Sequence, residues 1–151
     1  RKGDKPLICD RPHQKSLAKC KAQLRDLTSR SRGQSLDVFR EKLRRYVVGW
    51  AGYFGRASMA RFVADANQWL RRRIRMVYWK QWKKPSMRLK ALRKLGVPEG
   101  RAHEWANSRK GYWRIAGSWV LSTSLDNAFF EGKDGYACRT SIEGTLPHDH
   151  K

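Results

Sequence analysis

Acidic side chains are scarce in this sequence, and one long stretch has none. Asp and Glu number 13 against 34 Lys and Arg, which gives a formal net charge of +21. Between Asp65 and Glu99 there is no carboxylate, although the stretch holds eleven Lys or Arg. Like charges at this density repel one another in a folded domain, so the stretch indicates a polyanionic partner whose phosphates the cations neutralise.

Long apolar runs and regularly spaced cysteines are also missing. No apolar run approaches the roughly 18 residues of a membrane span, and the first residues, Arg1 to Asp4, lack the apolar segment of a signal peptide. The three cysteines, Cys9, Cys20 and Cys138, are odd in number and widely separated. That pattern favours reduced thiols over a disulfide framework. We therefore expect a soluble, intracellular protein with no membrane partner.

The sequence does not predict a metal site. Cys9, His13 and Cys20 are suitable ligand types, but no C-x-x-C pair exists and no second pair completes a tetrahedral set. His148 and His150 lie in a terminal segment with Gly, Thr and Pro, which is typical of a frayed end. We expect neither a metal nor a cofactor in this chain.

Helical periodicity, in contrast, runs through most of the chain and predicts an all-α fold, a small multi-helix bundle. From Ser16 the apolar positions three or four apart are Leu17, Cys20, Leu24 and Leu27. Ser35 is a good N-cap for the next helix, whose apolar stripe is Leu36, Phe39, Leu43, Val47, Trp50 and Phe54. Glycines near the end of that helix either allow close helix approach or fray it: Gly49, Gly52 and Gly55.

A third predicted helix, over about residues 58–83, has two unlike faces. Its core face consists of Met59, Val63, Ala66, Leu70, Ile74 and Val77. The opposite face carries Arg71, Arg72, Arg75, Trp79, Trp82 and Lys83. Solvated faces are normally mixed in charge and poor in Trp. Trp79 and Trp82 therefore either pack under the segment that follows or stack on nucleic acid.

Shorter elements are predicted after Pro85, which should end the third helix. They are a basic helix that Ser86 caps and Gly96 stops, a helix over about 98–107, a turn at 112–114 and a helix over about 120–130. His103 has no nucleophile or carboxylate pair near it in sequence, so we interpret it as a surface or packing residue.

Several motifs, in a fixed order, resemble those of a known family. They are Leu43-x-x-Tyr46-x-x-Gly49-Trp50-x-x-Tyr53-Phe54, Trp69-Leu70-Arg71-Arg72-Arg73, Trp79-Lys80-Gln81-Trp82-Lys83, Leu95-Gly96-Val97, the run from Ala106 to Arg114, and Leu125-x-Asn127-Ala128-x-Phe130. Over residues 14–135 the chain resembles the maturase-specific domain, or thumb, of bacterial group II intron reverse transcriptases. Residues 1–13 resemble the trailing edge of the polymerase palm that precedes this domain, and 136–151 are predicted to be an irregular tail.

The resemblance implies an RNA-binding domain in the bacterial cytoplasm. In the family, the thumb grips group II intron RNA during splicing and holds the RNA/DNA template-primer duplex during reverse transcription, beside the fingers and palm of the same parent protein. By motif match, the implied RNA contacts are Arg71, Arg72, Arg73, Arg75, Lys80, Lys83, Lys84, Arg109 and Lys110. The remaining candidates come from the same basic stretch: Trp82, Arg88, Lys90, Arg93 and Lys94.

The resemblance does not extend to polymerase chemistry. Nucleotide addition requires paired aspartates that hold two magnesium ions, and this chain has no Asp-Asp pair. Alone it is expected to bind rather than polymerise, with Mg²⁺ implied only for the missing palm and for the intron RNA. One alternative is a general basic DNA-binding module without a maturase role, since phosphate contacts do not distinguish DNA from RNA. A membrane-surface role fits less well, because the basic and aromatic residues lie within a multi-helix pattern.

Overall fold

Eight α-helices and no strand make up the part of the chain that the computed structural model describes, residues 13–54 and 60–131. The helices are α1 (Gln14–Leu27), α2 (Leu36–Phe54), α3 (Ala60–Gln81), α4 (Pro85–Lys94), α5 (Glu99–Ala106), α6 (Tyr112–Ala116), α7 (Trp119–Ser124) and α8 (Asn127–Glu131). The prediction of an all-α fold is confirmed. The predictions for residues 1–12 and 132–151 lie outside the described residues, as do those for Gly55 and Met59.

The first two helices form where the periodicity predicts them. Ser35 precedes α2 and its Oγ accepts a hydrogen bond from the Val38 amide at 3.4 Å, as expected of an N-cap. The predicted apolar stripes of both helices are turned inward where their side chains are described, which leaves out Phe54. Their buried members are Cys20, Leu24, Leu27, Phe39, Leu43, Val47 and Trp50. At Gly49 a Cβ would meet no atom within 4 Å, so this glycine does not serve a close helix approach.

α3 is the central helix and packs against α1, α2 and α6. The predicted core stripe is confirmed, with Val63, Leu70, Ile74 and Val77 all buried. Three further residues of its second half are also buried: Met76, Tyr78 and Trp79. This half of the helix is therefore enclosed on most of its circumference, whereas the sequence predicted a basic face opposite the core.

The second half of the chain differs from prediction in its helix boundaries. α3 ends at Gln81, and α4 begins at Pro85 with Lys84 in the N-cap position, so Ser86 lies inside the first turn and is not the cap. Proline suits the first helical position because its ring fixes φ and the missing N–H would have no partner there.

The end of α4 is as predicted. Gly96 adopts φ +86°, and its amide donates to the Arg93 carbonyl at 3.0 Å while the Val97 amide donates to the Leu92 carbonyl at 3.1 Å. This pair of bonds is the Schellman arrangement that glycine permits.

Two predictions near the end of the described chain are wrong. The predicted turn at 112–114 is the first part of α6, and the predicted last helix is divided into α7 and α8 at Leu125 and Asp126. The Asp126 carboxylate accepts a hydrogen bond from the Phe129 amide at 2.9 Å, which starts a new helix instead of continuing the old one.

None of the helices in the described ranges is both long and apolar enough to cross a membrane.

Candidate nucleic-acid interface

Arg73 is anchored inside the fold although it belongs to the predicted RNA-binding set. Its Nε donates to Thr28 Oγ1 at 2.6 Å and its Nη2 donates to the Arg25 carbonyl at 3.1 Å. These acceptors lie at the end of α1, where main-chain carbonyls lack intrahelical partners and favour a cation. Burial lowers the pKa of Arg73, and the nearby charge of Arg25 lowers it further.

Arg75 likewise connects α3 to another element, the junction between α7 and α8. Its Nε donates to the Leu125 carbonyl at 3.0 Å, and its guanidinium carbon lies 5.6 Å from the centre of the Phe130 ring. Burial is the main cause of a lowered pKa here, Arg71 adds to it, and Asp126 opposes it. Arg75 therefore holds the carbonyl at which the predicted last helix is broken.

Arg72 ties α3 to α6. Its Nη2 donates to the Trp113 carbonyl at 3.0 Å, and its guanidinium carbon lies 4.1 Å from the centre of the Trp113 ring. The group fits against Gly117, where a Cβ would come within 2.7 Å of the guanidinium carbon. Three of the predicted RNA contacts, Arg72, Arg73 and Arg75, thus also connect separate helices, and their contact with RNA stays a prediction.

The two tryptophans at the end of α3 have unequal environments. Trp79 is 2% exposed and lies under the Arg88 guanidinium, whose carbon is 4.6 Å from the ring centre. Its burial favours the packing interpretation over base stacking. Trp82 is partly buried, with its ring 6.1 Å from that of Trp79 and 6.2 Å from that of Tyr78. The Trp82 carbonyl also accepts a hydrogen bond from Arg88 Nε at 2.9 Å.

The lysines at and beside α4 are placed differently from the arginines of α3. The side chains of Lys83, Lys84, Lys90 and Lys94 are exposed, and none of these side chains is hydrogen-bonded or ion-paired to another residue in the described ranges. We call these four the α4 lysines. Arg93, on the same helix, pairs with Glu99. The α4 lysines are therefore exposed members of the eleven-cation stretch that have no carboxylate partner in the described ranges.

The other predicted contacts lie between α5 and α6. Arg109 and Lys110 are exposed, and Lys110 Nζ lies 5.1 Å from the centre of the Trp105 ring. His103 is exposed with its Nε2 3.8 Å from Glu99 Oε1, which confirms the interpretation of a surface residue.

A cation and aromatic cluster that the sequence did not predict lies around Tyr112. The Arg30 guanidinium carbon is 4.8 Å from the centre of that ring, and Lys80 Nζ is 5.5 Å from it. Lys80 was among the predicted contacts, whereas Arg30 and Tyr112 were not. Their separation along the chain explains the omission, because neither periodicity nor local motif links them.

Trp119 is another residue that sequence reasoning missed. It is 63% exposed, and the Arg101 guanidinium carbon lies 5.1 Å from its ring centre. It borders a groove of about 140 Å³ between the α4–α5 turn and α7. An exposed indole beside an arginine fits a nucleic-acid surface. The sequence marks Trp119 only by its position directly after Ser118, the N-cap of α7.

A larger cavity of about 230 Å³ lies among α1, α2 and α3, and its lining includes Cys20, Trp50, Phe62 and Trp69. Burial raises the pKa of the Cys20 thiol, against the opposing effect of hydrogen bonds with Tyr46 and Trp50. No group of three or more potential metal ligands occurs within residues 13–54 and 60–131.

Comparison with known proteins gives one result for the first half of the chain. A family model described as group II intron, maturase-specific domain matches residues 17–96, which is more than half of the sequence. The match begins within α1, ends at the turn after α4 and includes all eleven cations between Asp65 and Glu99. No curated protein sequence matches the chain. The motif resemblances of residues 106–130 lie beyond the matched range and stay predictions.

Proposed function

This chain belongs to the group II intron maturase-specific domain family, and from that membership we propose that it binds group II intron RNA through the α4 lysines and the basic residues around them. Membership implies a maturase function in group II intron splicing. RNA binding by a defined surface of this chain is the finer claim. It is supported by a net charge of +21 and by the position of the uncompensated charge.

The placement of charge along the matched region carries the proposal. Among the eleven cations between Asp65 and Glu99, Arg72, Arg73 and Arg75 donate to acceptors on other elements, whereas the α4 lysines extend into solvent. Exposed lysine is a flexible point charge that suits phosphate oxygens and displaces condensed counterions. Arg88, Arg93, Arg109 and Lys110 extend the proposed surface beyond the α4 lysines.

A second part of the proposal concerns reverse transcription. The same surface would hold the RNA/DNA template-primer duplex as the thumb, beside the fingers and palm of a parent protein. The order of motifs from Leu43 to Phe130 supports this role. The magnesium ions of that reaction would be held by the palm and by the RNA.

The salt dependence of binding tests the RNA-binding proposal. If about 5 to 8 phosphates are neutralised, the logarithm of the association constant should fall against the logarithm of salt concentration with a slope of roughly −4 to −7. The RNA is a structured group II intron transcript, titrated by fluorescence anisotropy at several salt concentrations. A slope near −1 for the unchanged protein would contradict the proposal.

Matched charge removal locates the surface. The test variant replaces Lys84, Lys90 and Lys94 with Gln, and the control variant replaces Lys15, Lys19 and Arg44 with Gln, which are exposed residues of α1 and α2. Both lose three positive charges. The first should make the slope shallower by about 2 to 3 and the second by much less. Equal effects would show that net charge, and not the α4 surface, determines affinity.

Competition separates RNA from DNA. The alternative of a general DNA-binding module is favoured by the lysines at the centre of the proposed surface, because a point charge on phosphate carries no information about the sugar. A DNA duplex that displaces intron RNA at equal nucleotide concentration would favour the DNA-binding module. Displacement only at a large excess would favour the RNA-binding domain.

A further inference from the structure

Two positive side chains from different parts of the chain lie beside one aromatic ring. Arg30 comes from the loop between α1 and α2, Lys80 from the last turn of α3 and Tyr112 from the first turn of α6. The cationic groups lie 4.8 Å and 5.5 Å from the ring centre. The approach of two like charges is unfavourable unless an anion or the ring compensates it.

The loop that carries Arg30 is fixed to α3 at both of its ends. At the first end, Arg73 Nε donates to Thr28 Oγ1 at 2.6 Å, and at the other, Gln81 Nε2 donates to the Gln34 carbonyl at 2.7 Å. Both anchoring side chains belong to α3, which also carries Lys80. The loop that carries Arg30 is therefore held beside the helix of Lys80 before any ligand binds, which lowers the entropy cost of binding one.

The charge of this pair is not neutralised within the described ranges. Neither Arg30 nor Lys80 is paired with a carboxylate there, whereas the neighbouring Arg32 is paired with Asp26. In the described ranges, Arg30 and Lys80 thus lack the carboxylate partner that Arg32 has. Both cationic groups lie within 5.5 Å of the ring centre, so a polyanionic backbone that passes the edge of the ring would come near both charges.

We propose that Arg30 and Lys80, positioned by the Tyr112 ring, form a phosphate-binding subsite for the backbone of the bound RNA. This deepens the proposed function and rests on it. Each cationic group lies within cation–π distance of the ring, so the role of the ring is to hold them. Arg109 and Lys110, which precede Tyr112 along the chain, are exposed and add positive charge to the segment that carries the ring.

The subsite is tested by removing its charges without disturbing the core. The variant Arg30→Gln with Lys80→Gln should reduce the salt slope for a group II intron transcript by about 2, because each phosphate contact contributes close to one unit. Affinity should fall by a similar factor for RNAs of different sequence. The control, Lys15→Gln with Lys19→Gln on α1, loses the same charge and should change the slope much less.

The ring is tested by a second pair of variants. Tyr112→Phe keeps the ring and should bind RNA as the unchanged protein does, while Tyr112→Leu should weaken binding severalfold. Melting temperatures of all variants identify any loss of folding, and the Arg30 and Lys80 variant answers the question even if Tyr112→Leu is unstable.

The outcomes distinguish this subsite from the wider proposal. A steep slope in the unchanged protein that persists in the Arg30 and Lys80 variant would overturn the subsite and leave the RNA-binding function standing. A slope near −1 in the unchanged protein would overturn both.

Discussion

Arg73 and Thr28 are joined by a 2.6 Å hydrogen bond that connects the middle of α3 to the end of α1. Thr28 is fully buried, and its hydroxyl also donates to the Leu24 carbonyl at 2.6 Å. The guanidinium therefore satisfies a buried hydroxyl that in turn satisfies a carbonyl at the helix end. Removing one member of this series of hydrogen bonds leaves a buried polar group without a partner, which lowers the free energy of unfolding.

We expect Thr28→Val and Arg73→Met each to lower the free energy of unfolding by about 1 to 3 kcal/mol. Their effects should not add, because either change breaks the same bond. A double-mutant cycle from urea denaturation should give a coupling of about 0.5 to 3 kcal/mol. Lys84→Met, at an exposed position, is the control and should stay within about 0.5 kcal/mol of the unchanged protein. Strict additivity would show that the bond contributes nothing to stability.

The close fit of Arg72 against Gly117 gives a second prediction. Gly117→Ala places a methyl group within 2.7 Å of the guanidinium carbon and should displace the hydrogen bonds to the Trp113 carbonyl. We expect a loss of about 1 kcal/mol of stability in the unchanged background. In an Arg72→Ala background the same methyl group meets no guanidinium, and the substitution should be neutral or stabilising because it reduces the freedom of the unfolded chain.

Gly100→Ala is the matched control, since Gly100 lies in α5 with no atom within 4 Å of its Cβ position. It should stabilise the protein by about 0.4 to 1 kcal/mol in either background. Thermal unfolding of the four Gly117 and Arg72 combinations measures the effect. An equal cost of Gly117→Ala with and without Arg72 would contradict the prediction.

The sequence predicted the core of the first three helices correctly for a physical reason. Spacing of three and four residues puts Phe39, Leu43 and Val47 on one side of a helix whatever that side packs against. Gly96 likewise identified the end of α4, because the left-handed conformation there favours glycine. Information of this kind is local, so it is available from the chain alone.

The contacts that the α3 arginines make within the fold could not be predicted from such local patterns. The sequence shows their charge, but their acceptors are main-chain carbonyls at Arg25, Trp113 and Leu125, and every residue type carries a carbonyl. The burial of Trp79 was similarly undetermined, because an indole on a basic face fits both packing and stacking. The candidate subsite around Tyr112 required three distant segments to be brought together.

A third prediction follows from the alkaline behaviour of Cys20 and Tyr46. Burial raises the pKa of the Cys20 thiol above its ordinary value of 9.0, and burial together with Cys20 raises the pKa of the Tyr46 hydroxyl above its ordinary value of 10.0. The unfolded chain therefore releases these protons at lower pH than the folded protein. The stabilisation is complete below pH 9.0 and is lost as pH rises above that value.

We expect the free energy of unfolding, measured by urea denaturation under reducing conditions, to decline between about pH 9 and pH 11. The double variant Cys20→Ala with Tyr46→Phe should be less stable at pH 7 but should show a shallower decline over that range. Parallel curves for the variant and the unchanged protein would mean that other groups cause the alkaline loss.

The tryptophans supply a fourth prediction. Trp79→Ala should cost about 3 to 5 kcal/mol, since a large ring that is 2% exposed leaves a cavity when it is truncated. Trp119→Ala, at a ring that is 63% exposed, should change stability by no more than about 0.5 kcal/mol. Chemical denaturation with intrinsic fluorescence measures both. A small cost at Trp79 would contradict its place in the core.

The last prediction separates the two kinds of cation in the eleven-cation stretch. Judged from the sequence, replacing Arg71, Arg72 and Arg75 with Gln would leave the core stripe intact and weaken RNA binding. Arg72 and Arg75 are the two of these whose acceptors are the Trp113 and Leu125 carbonyls of other elements. The contacts with the Trp113 and Leu125 carbonyls predict a loss of stability as well, about 1 to 3 kcal/mol for the pair, because each guanidinium ties α3 to a different element.

The matched variant replaces Lys84 and Lys90 with Gln, which removes the same charge from exposed positions. It should leave the free energy of unfolding within about 0.5 kcal/mol and reduce the salt slope of RNA binding by about 2. Denaturation curves and anisotropy titrations on both variants, the latter well below the melting temperature, give the comparison. Both variants lose two charges, so the loss of charge alone affects them equally. A stability loss confined to the arginine pair therefore comes from the hydrogen bonds and ring contacts that Arg72 and Arg75 make within the fold.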